Sequence, residues 1–202
     1  MQTTTPPSQT FARRWAIYAA LGVPKIDVQT WRLSTKGLVE KELNLTFQDL
    51  QALPQVQLKR DFHCVTQWGT KDVVWDGIAF RELAKLTGIK PEAKWVMFHC
   101  ADGYTAPVPL EDAMVEDSLI AFKINGKPLS AEQGFPARPF IPQLYGWKSA
   151  KWLTGIAFLH EYEDGYWEMY SYHERGNVWG EERFKGQGGK HVRRRGLGTV
   201  PI

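Results

Sequence analysis

Two cysteines stand in this sequence, each preceded by a histidine: Phe62-His63-Cys64-Val65-Thr66-Gln67-Trp68 and His99-Cys100-Ala101-Asp102-Gly103-Tyr104. Lys59 and Arg60 lie just before the first. Nearby cations lower a thiol pKa, and the thiolate is both a nucleophile and a soft metal ligand. On spacing alone the favoured reading of Cys64 is a small buried core residue, as most free cysteines are. There is no CxxC, and one Cys beside one His at two distant places is a weak zinc signature. Cys64 and Cys100 could also pair or share a site. A second group is Arg138, after Gly134-Phe135-Pro136-Ala137, with Lys148-Ser149-Ala150-Lys151 after Tyr145-Gly146-Trp147. Such a loop offers N–H groups and charge to a phosphate, although GxxxxGK[ST] is absent and a solvated basic turn is narrowly favoured. The polar, aromatic run from His173-Glu174-Arg175 to Arg183 reads as a surface ion-pair cluster ahead of a lid.

The elements that position these residues follow from periodicity and punctuation. Residues 31–34 and 43–45 alternate and pair as a hairpin-like start around Gly37. Thr46-Phe47-Gln48-Asp49 has capping-box spacing before a short helix, with Leu50 and Leu53 inward and Pro54 as the stop. Residues 55–64 read as a strand running into a loop. Residues 73–75 are β-prone, and Asp76-Gly77 predicts a turn. Phe80, Leu83 and Leu86 share a helix face that Gly88 caps. Residues 95–98 form a buried strand. Residues 111–114 make one helical turn, and 119–124 a strand ending at the turn Asn125-Gly126. Residues 140–142 and 151–159 suggest two more strands. Short strands, short helices and Gly/Pro punctuation predict an α+β fold with mixed β-sheets.

The 202 residues carry a net charge of +3. Six basic residues follow Glu182, the last acidic one, which leaves 19 basic against 22 acidic in residues 1–182. The basic balance therefore belongs to the C-terminus and does not mark the body as a nucleic-acid binder. Two cysteines exclude a disulfide scaffold, and no apolar run reaches the ~20 residues of a membrane span. Arg13-Arg14 before Trp15-Ala16-Ile17-Tyr18-Ala19-Ala20-Leu21 superficially resembles a twin-arginine signal. The apolar stretch stops at Gly22-Val23-Pro24, so the expectation is an arm on a cytoplasmic protein. Three regions are expected: an N-terminal arm over 1–25, partly disordered; a domain over 26–184; and a basic flexible tail over 185–202.

Taken together, the segments are far more specific. Phe62-His63-Cys64-Val65-Thr66-Gln67-Trp68, Trp75-Asp76-Gly77, His99-Cys100-Ala101-Asp102-Gly103-Tyr104 and Val108-Pro109-Leu110-Glu111-Asp112-Ala113 occur in that order. Asn125-Gly126-Lys127-Pro128-Leu129, Gly134-Phe135-Pro136-Ala137-Arg138 and Tyr145-Gly146-Trp147-Lys148-Ser149-Ala150-Lys151-Trp152-Leu153 follow. This resembles the molybdopterin-binding domain of the sulfite oxidase family, and most closely its short prokaryotic sulfite oxidase-like members. The resemblance covers roughly residues 26–184.

The resemblance implies the sulfite oxidase-like fold and a molybdenum cofactor with one pyranopterin. It implies Cys64 as the metal ligand, with His63, Arg138, Lys148, Ser149 and Lys151 around the pterin and its phosphate, and Tyr104 at the catalytic centre. It implies oxygen-atom transfer to or from a small molecule. The chain has no room for a haem domain, so electrons are expected to pass to a separate partner. Two departures bear on substrate. Sulfite oxidases carry Cys-Ala-Gly-Asn-Arg-Arg, whereas here Cys64 is followed by Val65-Thr66-Gln67-Trp68 with no Arg. Gln133 stands where the family usually has His. The Cys-Val-x-x-Trp pattern is closer to the branch that reduces methionine sulfoxide, which has Glu at the position of Thr66. Two other readings stand beside this one. One is a cofactor-free thiol enzyme with Cys64 as nucleophile and His63 or His99 as base. The other is a non-catalytic binding module on the same fold.

Overall fold

The structure is a computed structural model that describes residues 5–13 and 15–186. Two mixed sheets share the strands. The first holds β1 (Thr10–Phe11), β4 (Gln55–His63), β5 (Trp68–Ala79), β8 (Leu119–Ile124), β9 (Lys127–Pro128) and β10 (Arg138–Phe140). The second runs in the order β3 (Leu43–Leu45), β2 (Leu33–Gly37), β11 (Leu153–Leu159), β6 (Trp95–Cys100), β7 (Thr105–Pro109). There β11 lies parallel to β2 and antiparallel to β6. Three short helices, α1 (Phe47–Ala52), α2 (Phe80–Thr87) and α3 (Leu110–Ala113), complete an α+β molecule. No helix among the described residues is long and apolar enough to cross a membrane.

Burial explains the first sheet. Along β8, Leu119 and Ala121 face one apolar cluster with Trp75 and Phe140, while Ile120 and Phe122 face the main core with Ile78 and Phe80. Alternate side chains of a strand point to opposite faces, so a strand buried on both faces is apolar throughout. Trp75 stacks on Phe140 with ring centroids 3.8 Å apart. Helix α2 joins the two sheets, with Phe80 lying 6.2 Å from Phe98 and 6.3 Å from Phe158.

The β2–β3 hairpin, the capping box at Thr46 and the left-handed cap at Gly88 are all present. Four expectations shift. Asp76-Gly77 is no turn but lies inside β5, at a register shift against β8. The glycine is needed there because a Cβ would run into the Ile120 carbonyl. Leu86 is exposed, since the buried stripe of α2 is Phe80, Leu83, Ala84 and Thr87, at i, i+3, i+4 and i+7. Strand β10 starts and ends earlier than expected, as an edge strand that tolerates Pro139. Strand β11 starts at Leu153 because buried Trp152 takes φ +59°, a left-handed turn that a bulky residue rarely adopts.

Within the arm, the Thr10 and Ala12 N–H groups donate to the Gln67 and Gly69 carbonyls, so β1 adds to the edge of β5. Of the basic tail, residues 187–202 lie outside the described residues.

Candidate active site

Strands β4 and β5 form a long antiparallel hairpin, and its turn carries Cys64. The Cys64 N–H donates to the Trp68 carbonyl at 2.8 Å, and Gln67 N–H donates back to the Cys64 carbonyl at 3.2 Å. Gln67 takes φ +70° to close the turn. The Cys64 sulfur lies 3.2 Å from the Thr66 hydroxyl and is half-buried. A thiol on a turn pinned by its own hairpin is a rigidly held donor.

This turn forms one wall of a cavity of about 410 Å³. Tyr104 and Asp102 enter from the β6–β7 turn, and Gln133 and Arg138 from the approach to β10. Ser149, Lys151 and Trp152 come from the segment before β11, and Trp167 and Tyr172 from the stretch that follows it. Trp15 to Ala20 of the arm supply a further wall. Five of the residues expected at the site, Cys64, Tyr104, Arg138, Ser149 and Lys151, thus converge from four separate stretches of chain.

Arg138 is fixed by neutral acceptors. Its Nε donates to Ser149 Oγ at 3.0 Å, one Nη to the Ser149 carbonyl at 2.7 Å and the other to the Gln133 carbonyl at 2.8 Å. Ser149 Oγ in turn donates to the Pro139 carbonyl. Burial pulls the Arg138 pKa down to about 10. Lys151 donates to the Tyr18 carbonyl of the arm and lies 4.5 Å from the Trp152 ring centroid. Burial, and then the Arg138 charge, hold its ammonium down at about 8. Neither cation takes part in an ion pair among the described residues. A buried arginine and a half-buried lysine, neither with a paired carboxylate, favour an anion in the cavity.

Tyr104 donates its hydroxyl to the Trp147 carbonyl at 2.7 Å, and burial raises its pKa well above the ordinary phenol value. Gln133 has its side-chain oxygen on the Ser130 N–H at 3.0 Å.

Two expected residues lie apart from the cavity lining. Lys148 is buried and sends its ammonium to Glu168 Oε1 at 2.7 Å, to the Pro107 carbonyl at 2.7 Å and to the Glu174 carbonyl at 2.5 Å. All three of its protons are committed inside the protein. His63 is buried beside Phe11, with ring centroids 6.2 Å apart, and burial lowers its pKa. No histidine lines the cavity, so Cys64 has no imidazole base there among the described residues. Cys100 is a separate, buried free thiol whose pKa burial pushes far up. Sequence reasoning missed Trp15 to Ala20, Asp102, Trp167 and Tyr172. Tyr172 is the most consequential of these, because it lines the same cavity as Cys64.

Residues 20–167 match the oxidoreductase molybdopterin binding domain family. The chain belongs to that family, the sulfite oxidase family of molybdopterin oxidoreductases. It is 42% identical over 180 residues to the oxidoreductase YuiH of Bacillus subtilis, covering 89% of this chain and 91% of YuiH. It is 29% identical over 179 residues to mitochondrial sulfite oxidase of Drosophila melanogaster, covering 75% of this chain and 31% of that protein. The crystal structure of the sulfane dehydrogenase SoxCD from Paracoccus pantotrophus superimposes with a TM-score of 0.65 at 26% identity, over 74% of this chain and 42% of that one. The chain therefore spans nearly all of YuiH but less than half of the other two.

The family's cofactor is Mo-molybdopterin, and the cavity suits it. The described residues contain no cluster of three or more His, Cys, Asp or Glu that could hold a metal. A metal at Cys64 must bring most of its own ligands, as a dithiolene does, and needs from the protein one soft sulfur. The unpaired cations in the same cavity suit the anionic end of a pterin phosphate.

Proposed function

We propose that this oxidoreductase transfers an oxygen atom to or from a small neutral molecule, with Cys64 as the protein ligand to molybdenum. The observation that carries the reading is one cavity holding both the Cys64 thiol and the unpaired Arg138 and Lys151. The cofactor, when bound, supplies two-electron redox chemistry coupled to oxygen-atom transfer. The chain supplies the rest. The hairpin turn holds the thiolate still, and Arg138, oriented by Ser149, offers charge to the pterin and its phosphate together with Lys151. Tyr104 keeps its proton and braces the wall against the Trp147 carbonyl. Tyr172, whose pKa burial raises, stays a neutral phenol in the same cavity as Cys64.

Substrate class follows from what surrounds Cys64. Val65, Thr66, Trp68, Trp147, Trp167 and Tyr172 supply an apolar and aromatic lining, with no arginine in the turn itself. Such a mouth favours a sulfoxide or another neutral oxide over sulfite, since with Arg138 and Lys151 given to the pterin and its phosphate an oxyanion stripped of water beside Cys64 would lack a cation of its own. Electrons pass between the site and a separate redox partner, toward the site if the substrate is reduced and away from it if the substrate is oxidised.

The test is Cys64→Ser in protein loaded with cofactor. It should lose the charge-transfer absorption that the cysteine sulfur contributes, and with it turnover of a sulfoxide. An unchanged absorption spectrum would refute the ligand assignment. Efficient turnover of sulfite, with none of neutral oxides, would refute the substrate class. Rapid alkylation of Cys64 with turnover in metal-free protein would favour the thiol enzyme, but no cavity histidine supports that reading.

A further inference from the structure

The Cys64 turn is held by more than its own hairpin. Arg183 lies over a hundred residues further along the chain, is 7% exposed, and donates from Nη1 to the Val65 carbonyl at 2.7 Å. From the N-terminal arm Gln9, 9% exposed, donates from Nε2 to the Cys64 carbonyl at 3.2 Å. The guanidinium of Arg183 also sits 5.3 Å from the ring centroid of buried Tyr145, which stacks on Trp147 of the cavity wall with centroids 5.3 Å apart. The backbone of Arg183 is engaged too. Its carbonyl accepts from the His173 N–H at 3.1 Å, and neighbouring Phe184 bridges to Tyr172.

We infer that Arg183 is a positioning residue that fixes the Cys64 turn relative to the Tyr172 wall, with Gln9 of the N-terminal arm as a second tether. Cys64 and Tyr172 lie on separate segments with no backbone ladder between the cysteine turn and residues 171–173. Arg183 touches both at once, through its side chain on one and its backbone on the other. Its planar fork suits this work, because one guanidinium can lie beside Tyr145 while an N–H meets the Val65 carbonyl. Its acidic neighbour, Glu181, is 3.4 Å away and half-buried, too distant for a tight carboxylate pair to consume the guanidinium. Neither Arg183 nor Gln9 lines the cavity, so both act on the chemistry only through the turn.

The inference rests on Cys64 being the metal ligand, and the test separates the two claims. In full-length protein made in a host that lacks the cofactor, the rate of Cys64 alkylation by iodoacetamide reports how firmly the turn is held. Arg183→Met, which keeps the apolar stem and removes the donors, should raise that rate by about threefold or more, because local opening controls access. Arg183→Lys should fall between Arg183→Met and wild type, and Gln9→Leu should raise the rate independently. Cys100 should stay unreactive throughout, which shows that the fold persists. In cofactor-loaded Arg183→Met the sulfur-to-metal charge-transfer band should shift while one cofactor is retained. A wild-type alkylation rate in both Arg183→Met and Gln9→Leu, with an unshifted band in Arg183→Met, overturns the inference and leaves the Cys64 assignment intact. A Cys64→Ser protein with an unchanged band overturns the ligand assignment instead, whatever Arg183 does.

Discussion

Arg138 and Lys151 divide one task in different ways. Arg138 stays charged under ordinary conditions and is locked by three neutral acceptors, so it is the fixed anchor. Lys151 titrates near neutrality, from an unfolded value of 10.5 to about 8 in the fold. Between those values the unfolded chain holds a proton that the folded chain has shed. The cofactor-free protein therefore gains stability from this group as pH rises through the window, and carries the full cost below about 8. An anion at Nζ favours the ammonium, so binding takes up a proton above that pH and weakens as pH rises. Cofactor retention after dialysis should fall in wild type between about pH 7 and about pH 9.5, and Lys151→Arg should abolish the dependence. Equal retention by wild type at both values would contradict the role. Arg138→Met should reduce retention at every pH, by about tenfold or more, since it removes a charge-assisted donor from a buried site. These residues were legible in the sequence because each sits in a motif whose types match anion binding. Lys148 sits in the same motif, and only the short 3₁₀ turn Gly146–Lys148 decides that its side chain points inward to Glu168.

Elements carry the difference between holding the fold and holding the cofactor. Lys148 and Glu168 are 1% and 0% exposed in their side chains and 2.7 Å apart. Removing one partner of a buried pair costs about 3–5 kcal/mol. Lys148→Met should therefore lower the melting temperature sharply in cofactor-free protein, while Lys151→Met should not. A Lys148→Met protein as stable as wild type, but unable to keep the cofactor, would return Lys148 to the site. Gly77→Ala tests the strand crossing, because a methyl there meets the Ile120 carbonyl backbone. Such overpacking costs about 1–3 kcal/mol, measurable by denaturant unfolding, and no loss would mean that β5 and β8 separate freely. The short helices and most strands were legible because caps and buried apolar runs are local signals, as at Thr46, Gly88 and residues 119–124. The Asp76-Gly77 bulge was not, because glycine beside aspartate marks a turn locally and only the opposing strand β8 reveals the close approach.

At the scale of the whole molecule, the site exists only where distant segments meet. The arm from Trp15 to Ala20 closes a cavity whose other walls lie from about fifty to over a hundred and fifty residues away. Trp15 packs 4.5 Å from Phe62 and 5.6 Å from Trp75 by ring centroids, which ties the arm to the cysteine hairpin. No local pattern announces such walls, and the apolar stretch from Trp15 to Leu21 reads in the sequence only as part of a partly disordered arm. The net charge was equally silent, since what matters is two cations left unpaired in the cavity that one thiol also lines. The central claim is that this cavity holds one single-pyranopterin molybdenum cofactor. It is tested most directly by metal and pterin analysis of the full chain purified from a host that makes the cofactor. The account expects about one molybdenum and one pterin per chain. Folded, intact protein carrying neither, from a host that loads a known molybdenum enzyme in parallel, would contradict it.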